Sequence, residues 1–143
     1  MSDFLLPDLD DETSAEFWAG TARGELLVQT CGACGAGRMP PRPMCPACQS
    51  LSVRWESTGG NASIWSFIVP HPPLLPAYAE LAPYNAIVVA LDQDRTIRFV
   101  GNLLAHPDGA INEVDPATIQ IGEPVRVVFQ TVDDVTLPRW VRR

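Results

Sequence analysis

The chain has 143 residues, of which 46% are hydrophobic and 19% charged, a composition that suits an ordinary globular protein with one core and a small appendage. Its formal net charge of -7 opposes the counterion release on which polyanion binding depends, so nucleic acid is disfavoured as a partner. All ten basic residues are arginine, which rules out lysine Schiff-base chemistry, and every apolar run is too short to cross a bilayer.

Residues 1–12 carry Asp3, Asp8, Asp10, Asp11 and Glu12 with few apolar anchors, and they read as an acidic flexible arm. Their start offers neither a basic n-region nor an apolar h-region, so a cytoplasmic location is expected. Thr13-Ser14-Ala15-Glu16 then reads as a capping box that opens a short helix ending near Gly24. Phe17, Trp18, Thr21 and Ala22 share one face of that helix. A stripe with two rings must dock on something, either the protein's own core or a partner.

Glu25 to Thr30 and Val53 to Ser57 read as strands entering and leaving a region that holds all four cysteines. Cys31-Gly32-Ala33-Cys34 and Cys45-Pro46-Ala47-Cys48 are two knuckles, each able to aim both sulfurs at one centre. Four thiolates around zinc close the shell, which makes the site structural. Gly35 suits the positive φ that such a turn needs, whereas Gln49 at the matching place is less suited. Ten residues separate Cys34 from Cys45, enough for a short hairpin near Arg38 to Pro43. Two disulfides would need an oxidising compartment, and a thioredoxin-like pair would need a βαβ setting that is absent. Iron in a rubredoxin-like cage stays open, because four thiolates also suit iron; the chain would then be an electron carrier.

From Gly59-Gly60-Asn61 onward, strand-like runs alternate with polar punctuation. The expected strands are Ala62 to Val69, with both faces covered, then Asn85 to Leu91, Ile97 to Leu104, Val125 to Val132 and Val135 to Val141. Asp92-Gln93-Asp94 and Asp133-Asp134 read as hairpin connections rather than as carboxylate pairs. The fold class is mainly β: an N-terminal helix, a zinc ribbon and a C-terminal five-stranded OB-like barrel, whose closure would remove the sheet edges. The division is arm 1–12, helix plus ribbon 13–57 and barrel 58–143. Pro70, Pro72, Pro73, Pro76 and Pro83 stiffen a long loop, whose Leu74, Leu75, Tyr78 and Tyr84 either line a pocket or cap one barrel end.

Candidate catalysts are scarce. His71 and His106 both precede proline in loops, and no nucleophile stands beside a base. An OB barrel with a ribbon can also serve as a single-stranded nucleic-acid binder, a reading that the acidity opposes.

The order Phe17-Trp18, Arg23-Gly24-Glu25-Leu26, Cys31 to Cys34, Pro40-Pro41-Arg42, Cys45 to Cys48, Ile121-Gly122-Glu123-Pro124-Val125 and Val135 to Trp140 closely resembles the DUF35 family of zinc-ribbon and OB-fold proteins. The resemblance covers nearly the whole chain from about Asp8. It implies a noncatalytic accessory subunit of a heteromeric acyl-CoA enzyme. The implied partner is a thiolase-fold subunit, a thiolase or a retro-aldolase of steroid side-chain degradation, or alternatively a MaoC-type hydratase. Such a subunit stabilises its partner and helps to shape the acyl-CoA channel. Phe17 and Trp18 are then candidate docking or channel-lining rings. Coenzyme A calls for arginine forks and an aromatic plate, for which Arg38, Arg42 and Arg139 beside Trp140, with Arg142 and Arg143, are candidates. His71 and Tyr84 are candidates for the rim.

Overall fold

The computed structural model describes residues 3–143. Helix α1 (Ala15–Ala22) leads into a three-stranded antiparallel sheet of β1 (Leu26–Cys31), β2 (Gly37–Arg38) and β3 (Val53–Thr58), with β1 in the centre. The expected capping box does not form. Ser14 occupies the N-cap without capping the helix; its hydroxyl instead donates to the Asp11 carboxylate, as its amide does to the Asp11 carbonyl. Asp11 competes successfully for the hydroxyl because it is charged and lies three residues away. The helix ends as expected, at Arg23 followed by Gly24 with φ +78°.

The second sheet has six strands: β4 (Asn61–Ile68), β5 (Ala86–Leu91), β6 (Arg98–Gly101), β7 (Leu103–Leu104), β8 (Pro124–Val132) and β9 (Val135–Arg142). Their hydrogen-bonded order is β6-β5-β4-β8-β9-β7. The sheet is not closed into the five-stranded barrel expected from the sequence. The reason is local: the run from Ile97 to Leu104 breaks at Asn102. Its first half pairs antiparallel with β5 and its second half parallel with β9, so the two ends of the strand order are consecutive in the chain. Asn85, fully buried, bridges the break. Its side chain accepts from the Leu103 amide at 2.7 Å and donates to the Leu103 carbonyl at 3.0 Å, as a neighbouring strand would.

The Gly60 turn joins the sheets. Its φ is +73°, and a Cβ there would lie 2.3 Å from Val127 Cγ1. Strand β4 departs from expectation on one face. Trp65 and Ile68 are exposed, because a bulge between Ile64 and Ser66 turns Trp65 outward, where the Arg98 guanidinium covers its ring at 3.8 Å.

The main core gathers Ile64, Ile87, Val89, Leu91, Leu103, Val125 and Trp140 from the larger sheet with Phe17 of α1 and Leu26 and Val28 of β1. Helix and ribbon therefore bury apolar surface against the same cluster as the six-stranded sheet. A smaller cluster of Tyr84, Leu104, Ile111, Val128 and Val141 lies beneath the proline-rich segment, which contains one helical turn, α2 (Pro76–Ala79). Leu74, Tyr78, Leu81 and Ala82 pack onto it. Among the described residues, no helix is long and apolar enough to cross a membrane.

Candidate metal centre and apolar groove

Cys31 ends β1, and the chain turns back through Gly35, whose amide donates to the Cys31 carbonyl at 3.0 Å. The second knuckle repeats the scheme, with the Gln49 amide donating to the Cys45 carbonyl at 2.9 Å. Gly35 has φ +78° and Gln49 φ +62°, so the turn imposes the left-handed conformation on both residues, glycine or not. Cys31 and Cys45 are buried, Cys34 and Cys48 exposed.

The Cys34 and Ala33 amides donate to the Cys31 sulfur and hold its thiol down at about 6. Cys45 is lowered as well, chiefly by the Cys48 amide. Cys48 takes a bond from the Ser50 amide, yet its neighbouring sulfurs, Cys31 first, push it up to about 11.

The sulfurs pair across the knuckles, Cys31 with Cys48 at 3.6 Å and Cys34 with Cys45 at 3.7 Å, and all four lie within 4.8 Å of one another. A disulfide would need about 2.05 Å. A tetrahedron with metal–sulfur bonds of about 2.3 Å has edges of about 3.8 Å. The donor set therefore fits zinc, which Cys31, Cys34, Cys45 and Cys48 would hold in a closed shell. Such an ion supplies a cross-link between the knuckles and has no open position for a substrate.

Next to the ribbon the structure forms a groove of about 1300 Å³. Its lining comes from segments far apart in the chain: Phe4 to Pro7 of the arm, Phe17 and Trp18 of α1, Met39 to Pro41 of the ribbon, Tyr78 and Tyr84 of the proline segment, and Leu137 to Arg139 of β9. Phe17 and Trp18 meet edge to face with centroids 4.8 Å apart, and Phe4 meets Tyr78 likewise at 4.9 Å. The groove brings together five residues singled out from the sequence, Phe17, Trp18, Tyr78, Tyr84 and Arg139.

The other candidates lie elsewhere. Arg38 is buried and donates to the Arg42 carbonyl, and Trp140 is wholly inside the core; neither is placed to contact coenzyme A or a partner as expected from the sequence. Alternation along β2 and β9 turned both side chains inward. Arg42 and His71 are exposed and do not line the groove. The expected C-terminal arginine cluster is dispersed: Arg142 pairs with Glu123, Arg143 with Asp92, and Arg139 lines the groove. Sequence reasoning missed the contribution of the arm. Phe4-Leu5-Leu6-Pro7, an apolar run ahead of the acidic residues, was the available signal.

A family profile described as "ChsH2, rubredoxin-like zinc ribbon domain" matches residues 18–54, and one described as "ChsH2, C-terminal OB-fold domain" matches residues 55–130. The chain belongs to the ChsH2 family of DUF35 proteins. Among ChsH2-like relatives, the Mycobacterium tuberculosis "3-oxo-4,17-pregnadiene-20-carboxyl-CoA hydratase alpha subunit" is 28% identical over 138 residues, 96% of this chain and 40% of that protein. A Thermomonospora curvata protein named "Probable enoyl-CoA hydratase alpha subunit" is 34% identical over 85% of this chain and 35% of its own length. The chain thus spans well under half of these two relatives. A solved structure, "Ltp2-ChsH2(DUF35) aldolase", superposes with a TM-score of 0.79 at 28% identity, covering 95% of this chain and 98% of that one. The ChsH2 ribbon therefore accounts for the cysteine quartet as a zinc-binding arrangement.

Proposed function

We propose that the chain is a noncatalytic, zinc-stapled accessory subunit of a heteromeric acyl-CoA enzyme, and that its groove forms part of the acyl channel. The observation that carries this reading is a large, mostly apolar groove lined by aromatic and aliphatic side chains of the arm, α1, the proline segment and β9. Its aromatic and aliphatic lining suits a bulky acyl group, polycyclic ones included, while the reacting groups come from another chain. Relatives named as alpha subunits of hydratases and as part of an aldolase point to a hetero-oligomer. The partner is a thiolase-fold subunit of thiolase or retro-aldolase type, or a MaoC-type hydratase, and steroid side-chain acyl-CoA is the substrate class that these names favour.

Co-expression with each partner class, followed by affinity capture, tests the reading. A stoichiometric complex is expected, with acyl-CoA turnover present in the complex and absent from the isolated chain. Turnover of thioesters by the isolated chain would overturn it, as would failure to form a complex with either class.

A further inference from the structure

Arg139 lies on β9 and lines the groove, with Tyr78 close enough to act on its charge. Its Nη1 donates to Asn102 Oδ1, whereas its Nε is buried without a hydrogen-bond partner. The ion pairs of the described residues use Arg23, Arg54, His106, Arg142 and Arg143, so none of them neutralises Arg139. Desolvation lowers its pKa, yet arginine stays protonated in proteins. A permanent cation with apolar neighbours and one neutral amide partner is costly unless a negative group arrives to share the site.

The guanidinium is also held in place. Asn102 uses its own amide to donate to the Asn85 carbonyl, which leaves its oxygen turned to Arg139. Two other polar groups in the lining are already engaged. Arg98 lies over the Trp65 ring, and Gln130 donates to the Gly109 carbonyl at 2.6 Å. Asp8 and Asp11, also in the lining, are exposed and would repel an anion, so an amphiphile with a negative end is directed away from them.

We propose that Arg139 is the oxyanion anchor of the groove, selecting an apolar ligand that carries a carboxylate-type oxygen. This rests on the reading of the groove as an acyl channel and adds a polar requirement to it. The ligand lays its hydrocarbon along Phe17, Trp18 and Tyr84, and its oxygen accepts from the guanidinium in a charge-assisted hydrogen bond.

The test titrates the zinc-loaded full chain with dodecanoate and with dodecan-1-ol, by calorimetry. The carboxylate should bind at least about tenfold more tightly than the alcohol, and Arg139→Met should reduce that ratio to about one while leaving alcohol affinity in place. Arg139→Lys should restore part of it. Should Arg139→Met not fold, the unmodified protein provides a second measurement: dodecanoate, but not dodecan-1-ol, should shield Arg139 from phenylglyoxal, read by mass spectrometry. Equal binding of the two probes, or a preference that survives Arg139→Met, overturns the anchor and leaves the acyl channel standing. Binding of neither probe overturns both.

Discussion

The ribbon and the six-stranded sheet are held together by different means. In the sheet, interior positions of β4, β5 and β9 are filled by Ile64, Ile87, Val89, Leu91 and Trp140, all essentially without exposure. In the ribbon, β2 has two residues, β3 is mostly exposed, and the segments around both knuckles contribute little apolar burial apart from the cysteines. Strand β1, buried along its length, ties the ribbon to the shared core through Leu26 and Val28. A module this poor in apolar contacts needs a cross-link, and the sulfur quartet is placed to supply it through a metal.

The largest expected effect follows directly. Stripping the metal with a chelator, or replacing Cys45 with Ser, should abolish hydrogen-exchange protection across residues 29–57 while residues 86–91 stay protected. Simultaneous loss in both regions would show that β1 fuses them into one cooperative unit, ending the contrast. Trp140→Ala attacks the other side. It should lower stability by about 3–5 kcal/mol in chemical denaturation, with one zinc per chain retained by elemental analysis. Asn85→Leu strands the Leu103 amide and carbonyl and should cost about 2–4 kcal/mol, with exchange accelerated first at Leu103 and Leu104.

Gly60→Ala strikes the joint itself, since the added methyl meets Val127 and the backbone has positive φ. A loss of about 1–3 kcal/mol, felt in both regions, is expected from thermal melting and exchange together. The smallest effect is a gain. Gln49→Gly relieves the left-handed turn of the second knuckle and should stabilise the ribbon by about 0.5 kcal/mol, once the extra freedom of glycine in the unfolded chain is subtracted. It should slow metal release without moving the sheet.

What the sequence made legible was whatever is local. Two Cys-x-x-Cys pairs, a short helix stopped at Gly24 and runs of β-branched residues placed the ribbon and nearly all strands within a residue or two. What it hid was whatever depends on pairing at a distance. Asn102 looks like one polar residue in a strand, and only its contacts with Asn85 and Arg139 turn it into the corner where the pairing changes partner. Trp65 reads as core until the bulge turns it out to Arg98. Arg139, Arg142 and Arg143 fall within five residues of one another, yet the extended backbone at the end of β9 sends them to different surroundings. The groove was invisible as a unit because its walls come from segments far apart in the chain. The choice for the proline segment between lining a pocket and capping one end of the sheet has a mixed answer, since Tyr78 and Tyr84 line the groove and also pack in the smaller cluster, where Leu74 joins them.

The parallel pairing of β7 with β9 also sets an order of events during synthesis. Because β9 holds both β8 and β7 in place, the larger sheet cannot be finished until residues 135–142 have left the ribosome. Both knuckles and β3 emerge well before that point, so the nascent chain can load its ion while the strands that complete the sheet are still untranslated.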